Sequence, residues 1–248
     1  YKSGDYNTQM FSDVLQQKLM TIMGLGMRYD IDEIISYRPE KSWNYEVGAH
    51  LSVPVAAMAV DAALFYINCT DQQLTMFPEG TTTGRVMANA GRTRSYGAEL
   101  SVAATPLAGW NVNLSYGLTD ARFVKFVSGK TDYAGKRIPY APRNTMFAGT
   151  SYRYGLGRGT ENALVANINV RGLGRIYWDE ANTVSQPFYA QLGASVSWES
   201  PRFSLDLWCE NLTGCNFDTF YFVSIGNAFL QRGKPRRVGV TFRLNLKS

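Results

Sequence analysis

Long hydrophobic runs are missing from this chain of 248 residues. Strictly apolar stretches such as 55–60 fall far short of the roughly 18–20 residues that a spanning helix needs, so a helical membrane protein is excluded. Histidine occurs once, as His50, which leaves little for histidine-based catalysis. Three cysteines are ordinary usage for this length and exclude a disulfide scaffold. Charged residues make up only 18% against 45% hydrophobic, the reverse of what intrinsic disorder requires. The net charge is +5, but Lys and Arg are scattered along the chain, so nucleic acid is not an expected partner. No initiating methionine or signal peptide opens the chain. Tyr1-Lys2-Ser3-Gly4 begins abruptly, as in a processed chain or a piece of a longer one.

What is abundant is aromatic residues, 13%, together with 23 glycines. The dominant pattern is strict two-residue alternation. Tyr45, Val47, Ala49, Leu51 and Val53 alternate with Glu46, Gly48, His50 and Ser52. Similar runs cover 95–102, 110–118, 188–198 and 238–246, with weaker ones over 57–74, 144–154, 163–176 and 203–212. A helix would scatter these apolar sets around its circumference, whereas a strand puts each on one face. With a strand end near 1–6, about ten antiparallel strands are predicted. Several run past the five or six residues usual in soluble sheets.

The connections alternate in length. Short ones fall at 54–56, 105–109, 155–159 and 200–202, rich in Pro and Gly. Long ones cover 7–42, 75–85, 127–143, 179–186 and 213–235. Transmembrane β-barrels carry this asymmetry, with tight periplasmic turns and longer extracellular loops. On that reading the apolar faces meet outer-membrane lipid and the polar faces line a lumen. Trp43, Trp110, Tyr177, Trp178 and Trp198, near strand ends, then form interfacial girdles. A soluble β-sandwich also has one apolar face per strand, but gives no reason for such long strands or for the rotation of short and long links. Counting strand directions back from the last one, which would run down to the periplasm, the chain starts inside a hairpin series. It is therefore expected to be the C-terminal portion of something larger.

Several segments resemble TonB-dependent outer-membrane receptors of Gram-negative bacteria. They are Tyr1-Lys2-Ser3-Gly4-Asp5-Tyr6-Asn7, Arg38-Pro39-Glu40-Lys41-Ser42-Trp43-Asn44-Tyr45-Glu46-Val47-Gly48, and Asn89-Ala90-Gly91 through Gly97-Ala98-Glu99. Gly135-Lys136-Arg137-Ile138-Pro139-Tyr140-Ala141-Pro142 and Glu210-Asn211-Leu212-Thr213 complete the set. Each is modest alone, but they occur in the family's order and span essentially the whole chain. The resemblance is greatest to receptors for iron–siderophore complexes. It implies a 22-stranded barrel filled by an N-terminal plug, of which residues 1–248 would be the C-terminal portion with the plug absent. It further implies partners: the plug, the TonB system and a small ferric chelate. Members usually end on an aromatic residue, and this chain ends Leu246-Lys247-Ser248.

No motif points to an enzyme, a resident cofactor or a metal centre. His50 lies on a polar strand face with no nucleophile motif to serve, and reads as a lumen-lining residue. Glu46 and Glu99 sit on separate strands with nothing to place them as an acid–base pair. Asp30-Ile31-Asp32-Glu33 lacks the glycine turn and spacing of a calcium loop. Cys209 and Cys215 are near enough in sequence for a disulfide in an oxidising compartment, although Cys209 shares parity with apolar Phe203, Leu205 and Leu207. Ligand chemistry is expected in the long loops and upper lumen, at Phe77, Arg85, Tyr133, Tyr177, Trp178, Phe217, Phe220 and Tyr221. Aromatics with a few cations suit an anionic, aryl-bearing ferric chelate. The same residues serve equally as girdle or loop packing. Readings kept beside siderophore import are a glycan or cobalamin importer, a stand-alone outer-membrane pore or enzyme, and a soluble carbohydrate-binding module.

Overall fold

The computed structural model describes residues 2–6, 36–76, 86–89, 91–128, 130–157, 161–224 and 227–245. The acidic segment Asp30–Glu33 and the candidates Phe77 and Arg85 lie outside them. A nine-stranded antiparallel sheet dominates. Its strands are β1 (Lys41–Val53), β2 (Met58–Thr70), β3 (Arg92–Leu107), β4 (Trp110–Lys125), β5 (Asn144–Gly155), β6 (Ala163–Leu173), β7 (Tyr189–Glu199), β8 (Phe203–Glu210) and β9 (Arg237–Leu244). Each strand pairs with its neighbours in sequence, so the sheet is a pure meander with β1 and β9 as its edges, and it is not closed. Beyond β1, Asp5–Tyr6 pairs with Ser36–Tyr37 and Lys2 bridges Glu40. Where a tenth strand was expected, residues 2–6 thus run antiparallel to the approach to β1.

The pairing register carries the alternation of each strand across the whole sheet. One row runs Leu51, Val60, Val102, Leu114, Ala148, Val170, Leu192, each opposite the next on the adjacent strand. It continues on the same face through Val196, Leu207 and Val240. The neighbouring row on the other face runs His50, Asp61, Ser101, Ser115, Phe147, Arg171, Gln191. A slip of one residue in any strand would mix the two faces, so this agreement across strands fixes the register. The apolar face is bare: Val47 and Val240 are each 66% exposed and Leu51 58%. A continuous apolar face of this extent needs a covering, and lipid supplies it in a membrane barrel.

Aromatic residues mark both ends of this apolar face. Trp43, Tyr45, Tyr66 and Tyr96 lie toward one end, and Trp110, Tyr152, Tyr154 and Trp198 toward the other, all exposed. That is the expected girdle. Trp178 is a correction to it. It is buried, at 7% exposure, in the connection after β6, where the hairpin Ile176–Tyr177 with Ser185–Gln186 also holds Tyr177.

The sheet curls toward its polar face, where Glu46, His50, Asp61, Glu99, Arg171 and Gln191 border one cavity of about 810 Å³. Glycine permits close approach on this wall. A Cβ on Gly97 would fall 2.6 Å from Cζ of Phe65, whose ring lies across the glycine on the paired strand. The short connections collect at one end of the sheet. The tightest, Ala108-Gly109 between β3 and β4, needs the positive φ of Gly109, +81°. The long connections collect at the other end. Each carries a small antiparallel ribbon: Gln73–Met76 with Val86–Asn89, Val127–Ser128 with Thr131–Asp132, Ile176–Tyr177 with Ser185–Gln186, and Asp218–Ser224 with Asn227–Arg232.

Candidate functional site

The four long connections between strands of the sheet contribute to one cleft of about 560 Å³. The β2–β3 connection supplies Leu74. The β4–β5 connection supplies Phe126, Ser128, Tyr133, Pro139 and Tyr140. Trp178, Asp179 and Glu180 come from the β6–β7 connection, and Phe220, Tyr221, Phe222 and Val223 from the β8–β9 connection. Its floor rests on a small apolar core, in which Phe123 and Phe126 are buried against Leu74, Tyr133 and Ile138.

Tyr140 ties the connections together. Its ring stacks on Phe220 at 5.5 Å and meets Trp178 at 5.3 Å, tilted by 55°. Its hydroxyl donates to the carbonyl of Tyr221 at 2.7 Å, and its backbone N–H donates to the carbonyl of Tyr177 at 2.8 Å. Tyr140 holds φ +62°, a left-handed conformation that disfavours bulky side chains and persists where surrounding contacts impose it.

Polar side chains set the remaining geometry. Asp179 accepts from the backbone N–H of Thr183 and Val184 and from the Thr183 hydroxyl, which closes its turn on itself. Asn182 accepts from the N–H of Arg137 at 2.7 Å and donates to its carbonyl at 2.9 Å, joining the β6–β7 connection to the β4–β5 connection. The guanidinium groups of Arg122 and Arg137 both turn to Asp120. Gln186 accepts from the N–H of Asp218 at 2.8 Å, anchoring the β8–β9 connection. Glu180 is half-buried in the cleft. Burial pushes its carboxyl above the usual carboxylate range, and the adjacent Asp179 charge adds to the shift.

Of the candidate ligand residues, Tyr133, Trp178, Phe220 and Tyr221 line this cleft. Tyr177 offers its carbonyl to Tyr140 and is not among the lining residues. Phe217 is buried and stacks on Tyr189 at 4.3 Å, outside the cleft lining. Sequence reasoning missed Tyr140, Phe222, Asp179 and Glu180. The signal for Tyr140 was present in its setting between Pro139 and Pro142 in a quoted motif.

The polar wall of the sheet has its own network. His50 Nδ1 lies 2.5 Å from Asp61 Oδ1, and Arg243 donates to Asp206 at 2.5 Å. Arg153 on β5 reaches across β6 to pair with Glu199 on β7, and Arg237 pairs with Glu210 on the adjacent strand. The cysteines are free, with Cys209 opposite Ala194 and Val238 on the apolar face. Among the described residues no group of His, Cys, Asp and Glu is placed to hold a metal ion.

Residues 24–212 match the family model for the TonB-dependent receptor-like β-barrel. The chain belongs to the TonB-dependent receptor β-barrel family. The pesticin receptor of Yersinia enterocolitica is 29% identical over 213 residues, which covers 83% of this chain and 29% of that receptor. The ferric yersiniabactin uptake receptor FyuA of Yersinia pestis superposes with a TM-score of 0.71 at 25% identity, over 86% of this chain and 31% of FyuA. The ferripyoverdine receptor of the outer membrane of Pseudomonas aeruginosa shares the fold, with a TM-score of 0.62 at 17% identity over 84% of this chain and 27% of that one. The chain thus spans about three-tenths of the length of these relatives.

The structure gives the family's motif residues physical work to do at the long-connection end. Gln73 donates to the carbonyls of Ser3 and Arg38, and its N–H is held by Glu40. Asn89 accepts from the N–H of Arg38 and donates to the carbonyls of Arg38 and Asp71. Asn211 is buried at φ +49°. It bonds Cys215 through both N–H and carbonyl and also reaches the Lys234 carbonyl, so it pins both ends of the β8–β9 connection. These motifs lock loops onto the rim.

Proposed function

We propose that residues 1–248 form the C-terminal portion of the barrel of an outer-membrane receptor that binds a ferric siderophore and imports it by TonB-coupled transport. The observation that carries this reading is the aromatic cleft built jointly by four long connections, at the end of the barrel where a surface ligand would arrive. The bare apolar face fits outer-membrane lipid, and the polar wall fits an N-terminal plug. The names of two of the solved relatives, a ferric yersiniabactin uptake receptor and a ferripyoverdine receptor, agree with an iron chelate as cargo.

Deletion of the full-length gene should abolish growth on at least one ferric chelate supplied as sole iron source, and uptake of radioactive iron from that chelate should fall to background. The intact gene should restore both. Residues 1–248 alone should restore neither, because plug and TonB contact are expected outside them. Undiminished growth of the deletion strain on every chelate tried, with a defect on a glycan or on cobalamin, would overturn the iron reading.

Orientation has its own test. In a variant with Cys209 and Cys215 replaced by alanine, a cysteine placed at Thr131 or Asn182 should react with a membrane-impermeant thiol reagent on whole cells. One at Pro54, Ala108 or Pro201 should react only after the outer membrane is opened. Labelling of Ala108→Cys but not Thr131→Cys on intact cells would invert the topology.

A further inference from the structure

The charge of the cleft runs opposite to what the loop sequences lead one to expect. Among its described lining residues the formal charges are all negative, Asp179 and Glu180. The basic groups Arg122 and Arg137 of the same end are turned to Asp120. The Asp179 oxygens are occupied within their own turn, by Thr183 and Val184. Glu180, whose carboxyl is bonded by its own backbone N–H, lines the same cleft as an aromatic wall in which Trp178, Tyr140 and Phe220 contact one another in series. Aromatic faces attract cations through their quadrupole, most strongly when the cation is partly desolvated. A carboxylate at the edge of such a wall adds direct Coulomb attraction, and it repels an anion placed in the same low-dielectric space.

We propose that this cleft selects ferric chelates presenting a protonated amine or another exposed cation, and discriminates against polyanionic chelates, with Glu180 as the charge-reading residue. The inference rests on the ferric-chelate reading above and adds the charge class of the ligand. In bound form the cation stacks against Trp178 and Tyr140 while Glu180 supplies the counter-charge.

The test uses the full-length receptor in detergent and a matched series of ferric trihydroxamates with the same neutral iron centre. One has a pendant ammonium, one has that amine acetylated, and one has it succinylated to a carboxylate. The ammonium form should bind about tenfold more tightly than the acetylated form, and the succinylated form should bind most weakly. Glu180→Gln should erase the gap between ammonium and acetylated forms, and Glu180→Asp should keep the ranking. Should Glu180→Gln not assemble, the wild-type ranking and the Asp variant decide. Equal affinities across the series, tightest binding of the succinylated form, or an unchanged ranking in Glu180→Gln would overturn the proposal. Phenyltrimethylammonium, which carries the cation without iron, separates the two failures. If no member of the series binds and the deletion strain also keeps its growth on every ferric chelate, the ferric-chelate reading falls. Saturable phenyltrimethylammonium binding that depends on Glu180 would then still support a cation site, and its absence would overturn that as well.

Discussion

Arginine at Leu114, Leu192 or Val240 is expected to destabilise the refolded barrel by about 2–4 kcal/mol where the site meets the bilayer midplane, and by less toward the interfaces. All three lie on the bare apolar face. Leu114 stands opposite Val102 and Ala148, Leu192 opposite Val170, and Val240 opposite Leu207. A guanidinium there has no partner but hydrocarbon. Arginine at the inward neighbours should be tolerated far better, to a degree that follows their surroundings. Asn113 faces Ala103 and Gly149, which leave room for a long side chain, so Asn113→Arg should be nearly neutral. Gln191 is opposite Arg171, so Gln191→Arg adds a like-charge contact. Thr241 accepts from the Trp208 indole at 3.1 Å, so Thr241→Arg also costs a hydrogen bond. Denaturant titration of full-length protein in lipid vesicles measures both sets. Equal losses at Leu114 and Asn113 would mean that the assignment of inner and outer faces is wrong.

The strands were legible because a barrel wall is a local code. Each strand needs only to alternate, and the register then stacks Leu51 through Leu192 into one apolar row without any long-range instruction in the sequence. The rotation of short and long connections was legible for the same reason, since Pro and Gly punctuate locally. The ends of the strands were less so. The strand expected to stop at 118 runs on to Lys125, because its upper part pairs with Arg92–Tyr96, a partner not evident from the local pattern. Trp178 shows the limit. An aromatic near a strand end serves equally as a lipid-facing girdle or as the packing of a loop, and what decides is Tyr140, which lies thirty-eight residues earlier (178 − 140 = 38) on another connection. The cleft was half visible. Tyr133, Phe220 and Tyr221 stood out as loop aromatics, while Glu180 gained meaning only when four stretches of chain were brought to one place.

Tyr140→Ala is the substitution expected to undo that convergence. It removes two ring contacts, worth about 0.5–1.5 kcal/mol each, and one hydrogen bond to the Tyr221 carbonyl, worth about as much. Their sum is about 1.5–4.5 kcal/mol, all of it holding one connection to two others. The backbone bond from Tyr140 N–H to the Tyr177 carbonyl survives the change, and alanine keeps a Cβ at φ +62°, so the strain at this position remains without the contacts that impose it. The wall of the barrel does not depend on these groups, so the loss should be local opening rather than global unfolding. Hydrogen exchange on the full-length protein should show faster exchange at Trp178 and along Asp218–Ser224, with β3 to β7 unchanged. Tyr140→Phe, which keeps both ring contacts and loses only the hydroxyl, should show roughly a third of the effect, about 1 kcal/mol. Ligand affinity should fall in the same order. Protection in Tyr140→Ala equal to wild type at Trp178 and Phe220 would show that the connections hold together without Tyr140, and that other bonds, such as those of Asn182 and Gln186, give the cleft its shape.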